Sequence, residues 1–97
     1  MLIQVALEDG FDDDTVVLRV GGDEAYRGEG VTTRTQISRA ADTEVDVPDF
    51  GAVLEVEVPT RGLREAIELR PPLPPVVALS LRDDAVLVAY PEHGGAA

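Results

Sequence analysis

Hydrophobic and polar residues alternate along most of the chain, which is the pattern of a β-strand with one buried face. The alternation is clearest where Leu54, Val56 and Val58 are separated by Glu55 and Glu57. A Val-rich run at 15–20 instead predicts a strand buried on both faces. The other predicted strands cover 3–8, 31–37, 43–48, 64–70, 76–82 and 85–90.

Turn-forming residues lie between the predicted strands. They are Asp9-Gly10, Gly21-Gly22, Gly28-Glu29-Gly30 and Pro48-Asp49-Phe50-Gly51. The segment Arg82-Asp83-Asp84-Ala85 predicts a tight hairpin that joins 76–82 to 85–90. The proline-rich run at 71–75 predicts a rigid crossover between two sheets, and a ligand for a domain that binds proline-rich peptides is the alternative.

One segment also admits a helix. Thr60 could cap a turn in which Leu63, Ala66 and Ile67 share one face, although Gly62 would weaken that turn. We favour a strand here. About seven to nine short strands at a spacing near ten residues predict a small antiparallel β-sandwich, immunoglobulin-like or prealbumin-like. We expect a single sandwich domain over 1–92 and a flexible tail over 93–97.

The composition and charge of the chain exclude several classes of partner and site. The chain has 97 residues with 8 Lys+Arg and 19 Asp+Glu, so its formal net charge is −11. Nucleic acids and anionic membranes are bound through basic surfaces, and neither is a predicted partner. The absence of Cys excludes disulfides and thiolate metal sites. No apolar run reaches the roughly 18–20 residues of a membrane span and no basic leader precedes one, so a cytoplasmic protein is expected.

The basic residues are all Arg, and Lys and Asn are absent. Together with abundant Ala, Gly and Pro, this composition indicates a GC-rich bacterial genome. Adaptation to high salt is the alternative, because excess carboxylate keeps a protein soluble in brine.

Residues suited to catalysis are scarce. The one histidine, His93, lies in the predicted tail, where an imidazole is seldom held for acid–base work. Neither Ser38 nor Ser80 combines with it in a recognisable nucleophile motif, and Ser80 lacks a Gly-flanked elbow. We therefore predict a protein that is not an enzyme, with no catalytic residues, no cofactor and no metal ligands.

The densest acidic stretch contains Asp12-Asp13-Asp14. A solvated loop between strands is the expected structure, with Phe11 packed beneath the sandwich edge. Crowded carboxylates can also bind a hard cation such as Ca²⁺, which is the alternative, although the spacing does not match a hand-type calcium loop.

The C-terminal residues allow a second function. Gly94-Gly95 follows the last predicted strand, and a strand begins near Met1. In these two respects the chain resembles ubiquitin-like modifiers, whose diglycine tail is processed and joined to other proteins. That resemblance implies a β-grasp fold with a long helix after the first hairpin. The corresponding segment 23–44 contains Gly28, Gly30 and several Thr, which disfavour a helix.

Two segments differ in how they would behave at the edge of a sheet. In 43–48, Glu44 and Asp46 are expected to face outward and Pro48 ends the strand, which is how soluble proteins protect an edge. In contrast, 85–90 carries no charge, so it must be a central strand or an edge that pairs with another chain. The predicted function is a non-enzymatic interaction or structural module with a protein partner, including a homodimer through this edge.

Overall fold

A computed structural model, which describes residues 1–34, 36, 39–83 and 85–91, shows why the alternating segments become strands. Alternate side chains point to opposite faces, so each segment buries its hydrophobic set by packing against a second sheet. The strands are β1 Leu2–Leu7, β2 Asp14–Val20, β3 Asp23–Val31, β4 Ala41–Asp46, β5 Ala52–Val58, β6 Leu63–Leu69, β7 Val76–Arg82 and β8 Ala85–Ala89.

The strands form two four-stranded sheets that pack face to face. Their orders are β4-β1-β7-β8 and β3-β2-β5-β6. The predicted all-β sandwich is therefore confirmed. One pairing departs from the antiparallel prediction, because β1 and β7 run parallel. No hairpin joins these two strands, since the chain passes through the other sheet between them.

The core lies between the two inner faces. Its residues from β1, β2, β5 and β7 are Ile3, Val5, Leu7, Val16, Leu18, Leu54, Val56, Val58, Val77, Leu79 and Leu81. Phe11 is 4% exposed and joins this cluster, as the sequence predicted. Val17 is also buried although it faces away from the core cluster, between Arg27 and Glu57 on the neighbouring strands. The prediction of a strand buried on both faces therefore holds at this position.

The segment with the helical alternative forms a strand. A single 3₁₀ turn covers Pro59–Arg61, and Gly62 ends it with φ 65° in the left-handed region. β6 then follows, with Ile67 and Leu69 buried at alternate positions. The proline-rich run connects β6 in one sheet to β7 in the other, so the predicted crossover is confirmed.

Two predictions around β3 were wrong. The Gly28–Gly30 segment does not break the strand but lies inside it, where Gly30 has φ 65° and the register to β2 shifts. A glycine that permits a turn also permits a bulge, since both require positive φ. The described residues of 31–37 do not form the predicted strand: Val31 ends β3, and Arg34 makes only an isolated bridge to Arg39. Part of that segment, residues 35 and 37, lies outside the described residues.

Helices contribute little to this fold. The described residues contain the 3₁₀ turn but no α-helix, so none of them could supply a membrane-spanning helix. The described residues of 23–44 likewise contain no helix of the kind that a β-grasp requires. The diglycine Gly94-Gly95 lies outside the described part of the chain.

Candidate interaction edge

β8 is an outer strand of its sheet. Four strands occupy outer positions in the two sheets, namely β3, β4, β6 and β8. β6 and β8 contact each other along one side of the sandwich, and β3 and β4 contact each other along the other. We call these the β6–β8 side, residues 63–70 and 85–89, and the β3–β4 side, residues 23–31 and 41–46. The sequence left β8 as either central or outer, and the sheet order makes it outer.

The hydrogen bonds of β7 show which backbone groups of β8 face the open edge. The N–H of Leu81 donates to the Asp9 carbonyl, and the carbonyl of Leu79 accepts from the Glu8 N–H. Both groups therefore point toward β1. Backbone groups alternate in direction along a strand. The N–H and C=O groups of Ala78, Ser80 and Arg82 therefore point toward β8.

The register of the hairpin transfers this alternation to β8. Ser80 is opposite Leu87, and this pair exchanges ladder hydrogen bonds, as do the pairs Ala78–Ala89 and Arg82–Ala85. Val88 is opposite Leu79 and Val86 is opposite Leu81, so their N–H and C=O groups point away from β7. In the described part of the chain, no strand lies on that side of β8. Val86 and Val88 therefore present four backbone groups to any added strand.

The side chains of β8 divide in the same alternating way. Val86 and Val88 are half-buried and pack against the core. Leu87 lies on the outer face between two alanines and is 44% exposed. Tyr90, directly after the strand, is 54% exposed. The edge is thus apolar on both faces.

The hairpin turn that precedes β8 has the predicted length. Arg82 is opposite Ala85, so two residues form the loop. Asp83 adopts φ 54°, the left-handed conformation that two-residue hairpins require and that Asp tolerates. The turn brings Leu79 and Leu81 opposite Val88 and Val86, on the face that packs into the core.

A groove of about 470 Å³ lies beside the end of β8. Its lining residues are Glu68, Leu69, Arg70, Pro72, Pro74 and Tyr90. The two charged members form an ion pair, with 2.8 Å between Arg70 Nη2 and Glu68 Oε2. The rest of the lining is aromatic, aliphatic or proline, so the groove suits an apolar side chain more than a charged one.

Charge is distributed unequally between the two sides. The strands of the β3–β4 side carry one Arg and six acidic residues, a formal charge of −5. The strands of the β6–β8 side carry one Arg and two Glu, a formal charge of −1, and Arg70 directly after β6 brings this side to zero. Of the four outer strands in the described residues, β8 alone has no charged side chain.

The acidic stretch at 12–14 has a structural role that neither sequence prediction included. Asp14 is 2% exposed, and its carboxylate accepts hydrogen bonds from Arg61, Thr60 and the Asp12 N–H. The distance from Arg61 Nη2 to Asp14 Oδ2 is 2.8 Å, and Thr60 Oγ1 lies 2.7 Å from Oδ1. Arg61 also donates to the Gly10 carbonyl at 2.7 Å. This network holds the loop against the 3₁₀ turn.

These contacts shift the ionisation of Asp14. Burial by itself opposes ionisation, but the hydrogen bonds from Arg61, Asp12 and Thr60 and the positive charge of Arg61 outweigh it. The pKa of the Asp14 carboxyl therefore lies below its ordinary value. No group of three or more His, Cys, Asp or Glu side chains within the described residues is placed to hold a metal ion.

Of the three residues considered for nucleophilic catalysis, Ser80 is the one that lies within the described part of the chain. Ser80 lies in β7, and its Oγ accepts the N–H of Asp9 at 3.4 Å. Ser38 and His93 lie outside the described residues.

Comparisons with protein-family models, with curated proteins and with solved structures give no match to this chain. A functional proposal must therefore depend on the geometry of the molecule itself, of which the β8 edge is the most distinctive part.

Proposed function

We propose that this protein is a non-enzymatic interaction module that binds a protein partner by strand addition at β8. The observation that carries the proposal is an outer strand without charge whose outward backbone groups, at Val86 and Val88, face no neighbouring strand in the described residues. Soluble proteins usually protect such an edge with charge, proline or a bulge. An outer strand without these features is suited to pairing with another chain.

An added strand would obtain affinity and selectivity from different parts of this edge. The N–H and C=O groups of Val86 and Val88 offer up to four backbone hydrogen bonds, which are independent of the partner's sequence. Selectivity would come from side chains, because Leu87 favours an apolar neighbour on the outer face. The groove beside Tyr90 and Pro72 would receive a second apolar group. The partner segment is therefore an extended, predominantly apolar strand.

We also propose a finer fold class and a cellular compartment for this protein. The strand number and the two four-stranded sheets are compatible with an immunoglobulin-like or prealbumin-like sandwich, and the two classes are retained as alternatives. Both classes contain members that act in binding rather than catalysis, although fold alone does not assign a function. We propose that the protein acts in the bacterial cytoplasm.

Three variants test whether β8 is the binding strand. Leu87→Lys places a charge on the open edge, and Val88→Pro removes an outward N–H without removing a bond to β7. Val53→Lys is the matched control, because Val53 is 39% exposed and lies on the central strand β5. Tagged versions of all three and of the unaltered protein are expressed in the native organism and purified with whatever they bind.

The expected result is a partner that the unaltered protein and Val53→Lys retain and that both β8 variants lose by at least tenfold. Backbone amide exchange on the purified complex should then show slower exchange at Val86 and Val88 than in the free protein. A partner retained equally by all variants, or slower exchange confined to other strands, would show that β8 is not the binding edge.

A further inference from the structure

We infer that the strand added to β8 belongs to a second copy of this protein, paired antiparallel about a twofold axis at Leu87. This inference rests on the proposed function, because it names the partner at the same edge. It is carried by the symmetry of the β8 backbone and by the charge of the β6–β8 side.

The outward-facing groups of β8 are arranged symmetrically about its centre. Val86 and Val88 lie one residue on either side of Leu87, and both direct their N–H and C=O groups to the open edge. In a twofold antiparallel arrangement, Val86 of one copy is opposite Val88 of the other. Each of these two pairs exchanges two hydrogen bonds. The same four groups that are open in one copy are therefore satisfied by the same four groups of the second.

The side chains also match under this symmetry. Leu87 of each copy would lie opposite Leu87 of the other, as a pair without hydrogen bonds, in which side chains come closest. Ala85 would lie opposite Ala89, and these small side chains leave room for the leucines. Centring the pair on Leu87 keeps Asp83 outside the five paired residues. A shift of the centre toward the turn would bring acidic residues into the ladder.

Charge favours a second copy over a basic partner at this place. Two copies that each carry −11 repel when their acidic surfaces meet, but the β6–β8 side has a formal charge of zero. A basic partner would instead be attracted to the β3–β4 side, with its charge of −5. The chemistry of β8 is therefore that of an uncharged, self-complementary edge.

The paired arrangement also separates the acidic edges. The two copies would form one sheet in the order β4-β1-β7-β8-β8-β7-β1-β4. At roughly 4.8 Å between strands, the two β4 strands would lie about 34 Å apart. That distance is several times the Debye length of about 8 Å at physiological ionic strength, so repulsion between them is screened.

The mass of the protein in solution tests this inference. Sedimentation equilibrium is measured from roughly 10 µM to 1 mM protein, because a single pair of short strands is at the small, weakly associating end of protein interfaces. The unaltered chain of 10.3 kDa should approach twice that mass as its concentration rises. Val53→Lys should follow the same curve.

Leu87→Lys and Val88→Pro should remain at the mass of one chain over the whole range while keeping the circular dichroism of the unaltered protein. Leu87→Lys makes the net charge less negative, which weakens repulsion, so its loss of dimer could not be attributed to overall charge. If one of the two β8 variants fails to fold, the other provides the result. Amide exchange at Val86 and Val88 should also slow as the concentration of the unaltered protein increases.

Two outcomes would overturn the inference. A constant monomer mass up to 1 mM would exclude the second copy as partner, while binding of a different protein that requires Leu87 would still support the proposed function. A dimer that persists in both β8 variants would place the contact on another surface. If the β8 variants alter neither the mass nor the binding of any other protein, the proposed function fails as well.

Discussion

β4 and β8 occupy the two ends of the same sheet, yet their outward residues are opposite in character. Along β4, the exposed positions include Asp42, Glu44 and Asp46. Along β8, the corresponding outward positions are Ala85, Leu87 and Ala89. Both strands contribute Val to the inner face, with Val45 buried in β4 and Val86 and Val88 half-buried in β8. A strand can therefore contribute to the core whether its edge is protected or open.

The outer strands of the other sheet are protected by different means. β3 has charged residues and a shifted register near Gly28–Gly30, which disturbs the regular spacing that an added strand would need. β6 carries Arg64, Glu65 and Glu68 along its length. Among the four outer strands of the described residues, the lack of such features is therefore specific to β8.

The largest predicted effect is a difference in unfolding free energy between two proline variants of β8, one that removes an N–H facing β7 and one that removes an N–H facing the open edge. Leu87→Pro removes an N–H that bonds to β7 and leaves the Ser80 carbonyl without its donor, so we expect the free energy of unfolding to fall by about 3 kcal/mol. Val88→Pro removes an outward N–H, and we expect less than half that loss, mainly from reduced packing of the half-buried side chain. Urea denaturation measures both. Equal losses would mean that the alternation of backbone groups in β8 has been assigned incorrectly.

A second prediction distinguishes a carboxylate that stabilises the fold from the surplus ones on the β3–β4 side. Asp14→Asn should lower the free energy of unfolding at pH 7 by about 2–3 kcal/mol, because Arg61 loses its buried partner. Glu44→Gln, which removes an exposed carboxylate from β4, should produce no such loss.

The same pair of variants should differ in their response to pH. The pKa of Asp14 is lowered in the folded state, so its contribution is present above the unfolded value near 3.9 and is lost as pH falls through the lower folded value. The unaltered protein and Glu44→Gln should both lose this contribution below about pH 4, and Asp14→Asn should lack it at every pH. Parallel stability curves for all three proteins would contradict this role of Asp14.

The smallest predicted effect concerns the unequal charge of the two sides. In low salt, Glu44→Gln should raise Tm by about 1–2 °C because it reduces repulsion on the β3–β4 side. Glu65→Gln, on the side with no formal charge, should raise it less. Melting curves in about 0.5 M NaCl should remove the difference, since screening then acts on both sides. An equal increase for both variants would indicate that repulsion is spread evenly over the molecule.

The alternation in the sequence was sufficient to predict most strands and their inward residues. A hydrophobic residue at every second position, on one face only, is compatible with few structures other than a half-buried strand. The bounds of β5, β7 and β8 accordingly lie close to the predicted ones. The protected edge at β4 was also predicted, because Glu44 and Asp46 alternate with Val45 and Val47 and Pro48 ends the strand. Local chemistry of this kind depends only on residues close together in the chain.

The position of β8, the parallel pairing of β1 with β7, and the partner of Asp14 were decided only by tertiary structure. An uncharged strand fits the centre or the edge of a sheet equally well, so its sequence alone could not select between them. Asp14 meets Arg61 only because the loop before β2 and the turn after β5 reach the same end of the sandwich. Sequence periodicity determines which face of a strand is buried, whereas the order of strands depends on packing between distant segments. The open edge of β8, on which the proposed function depends, is a consequence of strand order and was therefore decided by tertiary packing.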